Sequence, residues 1–167
     1  MLKSKQIALL GILFAAALAL SVAETALGAI PFLPPHFKIG LSNVIVMYTL
    51  FFIGKKETFV FAVLKSFFVF LTRGPTAGIL SFSGGMASVL VIMLLVALFG
   101  TKVSYLMLSV TGAIFHNLGQ VAAASVLMNT NIILYYLPVL LVSGVAMGSI
   151  TGATLKAIMP FMARIRR

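Results

Sequence analysis

Apolar residues run in long blocks along this chain and stop at charges, prolines and glycines. Six such blocks emerge, over residues 6–30, 39–53, 58–72, 79–99, 103–128 and 132–159. A helix needs about 20 apolar residues to cross the hydrocarbon core of a bilayer, so each block spans it or nearly does. The second and third are short, which predicts helices that are tilted, shielded by neighbours or deep in a bundle. The pattern therefore predicts an all-α integral membrane protein, a six-transmembrane-helix bundle forming one domain over residues 1–167.

Composition sharpens this reading. Hydrophobic residues make up 62% of the 167 and charged residues 8%, with a mean hydropathy of +1.20. A soluble domain carries roughly 25% charged residues, so a separate soluble domain is excluded. The net charge of +10 does not indicate nucleic acid, because the lysines and arginines sit singly or in pairs between apolar runs. Topology accounts for them. With the N-terminus in the cytoplasm, Lys3, Lys5, Lys55, Lys56, Lys102, Lys156, Arg164, Arg166 and Arg167 fall inside, while Lys38 and Arg73 fall outside and Lys65 lies mid-helix. Basic loop residues favour the cytoplasmic side, which predicts a multi-pass protein of the plasma membrane with both termini in the cytoplasm. The opening run through Ser21, Val22 and Ala23 has signal-peptide features. Because the apolar run continues beyond Ala23, the first helix is expected to stay.

Cysteine is absent, and the two acidic residues, Glu24 and Glu57, are both glutamates. No disulfide, thiolate metal site or thiol nucleophile is available. No Walker A ending follows any glycine run. These absences predict no catalytic constellation, no metal and no cofactor.

An ionisable group inside a bilayer costs at least about 2.5–3.5 kcal/mol at the helix centre, so each one asks for a reason. Lys65 lies midway along the third segment, His116 midway along the fifth, and Glu24 toward the outer end of the first. His116 and Gln120 are four apart and Asn117 and Gln120 three apart, so they share one helix face, extended by Ala113 and Ala124. Two readings stand. The polar side chains join neighbouring helices by hydrogen bonds, each worth about 0.6 kcal/mol, or they wall a cavity in the outer half. In the second case Lys38, Lys65 and Arg73 set three positive charges against Glu24, and the pocket favours an anionic ligand. Lys65 neutralising Glu24 is the competing structural account. Asn43, at the start of the second segment, either joins this wall or only starts its helix.

Three loops are expected to face outward: the proline-stiffened PFLPPHFK, RGPTAG, and NTN. RGPTAGILSFSGG suits either an unwound, ligand-facing stretch or an ordinary loop followed by a small-residue helix start. Gly11, Ala15, Ala19 and Ala23 recur every four residues, as do Gly144, Gly148 and Gly152. Either stripe serves close packing inside the bundle or docking of a partner membrane protein.

NLGQ, PPHFKIGLSN and LTRGPTAGILSFSGG together resemble the bacterial Gx transporter family, often labelled heptaprenyl diphosphate synthase component I, over nearly the whole chain. That family is similar to the substrate-binding S components of energy-coupling factor (ECF) transporters, six-helix proteins that capture a solute from outside. The resemblance implies that Ala15 and Ala19, flanked by Gly11 and Ala23, dock a transmembrane coupling subunit driven by ATPases in trans. It also implies a ligand site beneath the outer loops. The synthase label fits poorly with catalysis, since gripping a diphosphate through Mg²⁺ needs hard oxygen ligands and the chain has no Asp. The expectation is a bacterial membrane subunit binding a small anionic solute through Glu24, Lys38, Asn43, Lys65, Arg73, His116, Asn117 and Gln120. The alternative is a non-catalytic membrane accessory subunit for isoprenoid or quinone precursor metabolism.

Overall fold

A computed structural model describes residues 4–27 and 40–165 of the chain. Among the described residues six α-helices follow in order: α1 Ser4–Leu27, α2 Leu41–Phe52, α3 Lys55–Arg73, α4 Pro75–Phe99, α5 Tyr105–Met128 and α6 Ile132–Ile165. A 3₁₀ turn, Gly100–Lys102, leads from α4 toward α5. Among the described residues four helices contain stretches long and apolar enough to cross a membrane: Gln6–Glu24, Pro75–Phe99, Tyr105–Met128 and Leu137–Phe161. The chain is thus a membrane-type helical bundle.

Helix ends differ from the hydropathy breaks wherever a charge or proline interrupts an apolar run without interrupting the backbone ladder. Lys55, Lys56 and Glu57 belong to the first turn of α3, where Glu57 lies near the positive end of the helix dipole. Likewise, α4 begins at Pro75 and not at residue 79. Proline suits a first helical position, since it has no amide hydrogen to leave unsatisfied there. Gly74 alone separates α3 from α4. Its φ of 89° lies in the left-handed region that glycine tolerates, and its amide donates to the Phe70 carbonyl at 3.0 Å. RGPTAGILSFSGG is therefore neither unwound nor an extended loop: from Pro75 onward it is continuous helix. Ser104 caps α5 by accepting from the Met107 amide at 3.1 Å, and Asn129 ends it in the left-handed conformation.

Successive helices from α3 to α6 pack side by side. Along α5 and α6, Gly144 meets Ile114, Gly148 meets Val110 and Gly152 meets Leu106, so numbers rise on one helix as they fall on the other and the pair is antiparallel. α2 packs against both α3 and α6 and so closes the curved wall that these helices make. It runs only 12 residues, about 18 Å at 1.5 Å per residue, and Val44 through Thr49 are all buried. Its shortness goes with a position deep among its neighbours. α1 packs outside, on α2 and α3, with the Phe14 and Phe61 rings edge to face at 5.4 Å.

Packing divides the bundle along its length. One half is filled by Leu13, Ala17, Tyr48, Phe61, Leu108, Leu155 and Met159, all buried. The other half, near the end of α1 and the start of α2, holds a cavity.

Candidate functional site

The polar residues of the apolar helices concentrate on this cavity, which has a volume of about 1050 Å³. Glu24 reaches it from the last turns of α1, Asn43 from the first turn of α2, Lys65 from the middle of α3, and His116, Asn117 and Gln120 from α5. Residues expected at one site from four separate segments thus meet on one wall system. Arg73, exposed at the end of α3, does not line it, and Lys38 lies outside the described residues. Among the described lining residues the charged groups are Lys65 and Glu24, one of each sign. The excess of positive charge expected there is not present on this part of the wall.

Lys65 is held by α2. Its Nζ donates to Ser42 Oγ at 2.7 Å and to Asn43 Oδ1 at 3.0 Å. Gly40 precedes α2 with φ 81° and ψ 22° and supplies no side-chain cap. The Asn43 amide donates to the Gly40 carbonyl at 2.8 Å, so the first turn of α2 is closed where its side chains hold the ammonium group. Glu24, 4% exposed, sits on the same cavity from α1.

The α5 cluster divides between two jobs. Asn117 Nδ2 donates to the Leu140 carbonyl at 3.2 Å and to Ser143 Oγ at 3.3 Å, so it ties α5 to α6 while also lining the cavity. His116 and Gln120 face α4 at Gly84, where an added Cβ would lie 2.7 Å from the His116 carbonyl oxygen and 2.6 Å from Gln120 Cγ. Glycine at 84 is what lets α4 approach these two polar side chains.

Hydroxyls complete the lining, and the sequence reading passed over most of them. Ser81 and Ser88 of α4, with Gly85 between them, fall at helix-face spacing, as do Ser109, Gly112 and His116 of α5. That spacing was the available signal. Buried hydroxyls need a partner, and Ser66 finds one in the Ala62 carbonyl at 2.9 Å. Ser42 and Ser143, which position Lys65 and Asn117, carry no sequence pattern of their own.

The two small-residue stripes part company. Gly144, Gly148 and Gly152 press against the backbone of α5. Gly11, Ala15, Ala19 and Ala23 are all exposed, and nothing lies within 4 Å of where a Gly11 Cβ would be.

Residues 13–158 match the model of the family described as heptaprenyl diphosphate synthase component I. The chain belongs to that family. Its description names one component of a synthase and so implies a partner component. No curated protein and no solved structure matches the chain. Among the described residues no group of three or more His, Cys, Asp or Glu side chains is placed to hold a metal ion.

Proposed function

We propose that the chain is a membrane-embedded binding subunit that captures a small anionic solute, entering from outside the cell, for uptake. The observation that carries this reading is the meeting of Glu24, Asn43, Lys65, His116, Asn117 and Gln120 on one cavity of about 1050 Å³. Small-molecule sites run about 300–1,000 Å³ and combine apolar walls with a few placed polar groups. The Lys65 ammonium beside the start of α2 supports an anionic group in the ligand. Lys38 and Arg73 belong to the proposed site as charges that draw an anion toward its entrance.

The chain carries no nucleotide-binding motif, so transport by it is energised by a coupling subunit and ATPases in trans, in the manner of ECF transporters. The exposed stripe of Gly11, Ala15, Ala19 and Ala23 supports docking of the coupling subunit, because small residues let two helices approach closely in lipid. The family's description favours a second reading, a non-catalytic membrane subunit that serves a soluble prenyl diphosphate synthase.

Mass spectrometry of small molecules retained by the purified protein tests the binding reading. An anionic species present with the native chain and missing from Lys65→Ala is the expected result; the same species on both proteins, or none on the native one, counts against it. Co-purification separates the two functional readings. Uptake requires a membrane coupling subunit that is lost on Ala19→Leu, whereas the accessory role requires a soluble synthase that stays bound.

A further inference from the structure

The cavity is not closed toward the side of the bundle. Val139 and Val142 of α6 line it, yet they are 65% and 71% exposed, and Ala146, one turn on, is also both lining and exposed. These residues lie within Leu137–Phe161, a stretch of membrane-spanning character. A residue that borders a cavity and is also open to the surroundings marks a mouth, and a mouth at this depth opens onto lipid. The neighbouring helix arrangement agrees. Among the described residues, no Cα of α1 comes within 8 Å of one on α6.

The walls differ in chemistry. Lys65 with Ser42 and Asn43 lies on the α2–α3 side and Ser21 and Glu24 on the α1 side, while the exposed lining residues Val139, Val142 and Ala146 of α6 are apolar. A solute that is polar all round would meet apolar side chains and acyl chains there. We infer that the ligand is an amphiphile, with a phosphate or carboxylate head held at Lys65 and a hydrocarbon chain that leaves the cavity past Val139 and Val142 of α6 into the bilayer. This inference rests on the anion-binding reading above and adds the chain and its lateral route.

The chain has no cysteine, so Val142→Cys provides one labelling site at the mouth. The full chain, carrying an environment-sensitive fluorophore at that position in phosphatidylcholine nanodiscs, is titrated with dodecyl phosphate, dodecanoate, butyl phosphate and dodecanol. At least one long-chain anion should give a saturable change in emission. Its affinity should exceed that of butyl phosphate by more than about tenfold, since the chain methylenes leave water. Dodecanol should give no saturable change, and Lys65→Ala should abolish the response while Lys65→Arg restores part of it. Butyl phosphate binding as tightly as the long-chain anions overturns the amphiphile and leaves anion binding standing. A response to dodecanol equal to that of the anions, or one indifferent to Lys65→Ala, overturns both readings, as does the lack of any saturable response. Unlabelled Val142→Cys supplies a second measurement independent of ligand. It should react with a membrane-dissolved maleimide and resist a charged, water-soluble one; the reverse order overturns the lateral mouth.

Discussion

Replacing Gly148 by alanine tests whether the stripe on α6 is a packing seam. A Cβ at this position would lie 2.4 Å from Val110 Cα and 2.9 Å from both the Val110 nitrogen and the Ser109 carbonyl oxygen. Carbon atoms pack best at about 3.5–4.0 Å, so α5 and α6 would have to separate by about 1 Å. The obstructing atoms are backbone, and no side chain can swing aside to relieve them. Overpacking of this kind costs about 1–3 kcal/mol, and three simultaneous backbone contacts put Gly148 at the upper end. Alanine recovers up to about 1 kcal/mol through its better helix propensity. The expected net loss is about 2 kcal/mol, which moves the folding equilibrium by up to about thirtyfold. Gly11→Ala is the matched control, because its Cβ would meet nothing within 4 Å and only the propensity gain applies. Reversible unfolding in detergent or bicelles, followed by helical circular dichroism, measures both. A Gly148→Ala protein as stable as Gly11→Ala would refute the argument that backbone contact sets the cost.

The remaining predictions follow from other contacts. Asn117→Leu removes the bonds to the Leu140 carbonyl and Ser143; at the typical 0.6 kcal/mol, and at most about 1.7, for such a bond in membrane bundles, the protein should still fold, and a failure to insert or purify would contradict this. Lys65→Met loses two charge-assisted hydrogen bonds but also relieves an insertion cost of about 2.5–3.5 kcal/mol. Stability should therefore change little while anion retention is lost, and a large drop in melting temperature would show that the lysine serves the fold first. Ala15→Leu and Ala19→Leu, both on the exposed face of α1, should leave thermal stability unchanged and disrupt recovery of a coupling subunit; strong destabilisation would place this face inside the packed structure. Gly84→Ala would press on His116 and Gln120, and it should lower stability and alter ligand retention together, as scored by mass spectrometry of the purified variant.

Much of the fold was legible in the pattern of apolar residues. Lipid offers no hydrogen-bond partners to a bare backbone, so a chain this apolar must satisfy its amides within helices, and the breaks between apolar runs count those helices. The breaks did not mark helix ends. Lys55 and Pro75 interrupt hydropathy but begin helices, because the ends follow backbone bonding and capping. The candidate site was legible where helix periodicity applies, as it places His116, Asn117 and Gln120 on neighbouring positions of one surface. Arg73 shows the limit. A charge near the right end of the right helix can still lie off the cavity wall, as this one does.

The two small-residue stripes show what sequence alone could determine and what it could not. Their four-residue spacing is the same, and it determines that each presents a smooth, low face along its helix. Spacing carries no information about what lies opposite. The tertiary structure sets Gly144, Gly148 and Gly152 against the backbone of α5 and leaves Gly11, Ala15, Ala19 and Ala23 on the outer surface. The cavity arises in the same way: residues of all six helices, far apart in the chain, bound it together. Periodicity is a property of one helix. A void, its mouth and its lining exist only between helices, where the contacts are long-range and no local pattern records them.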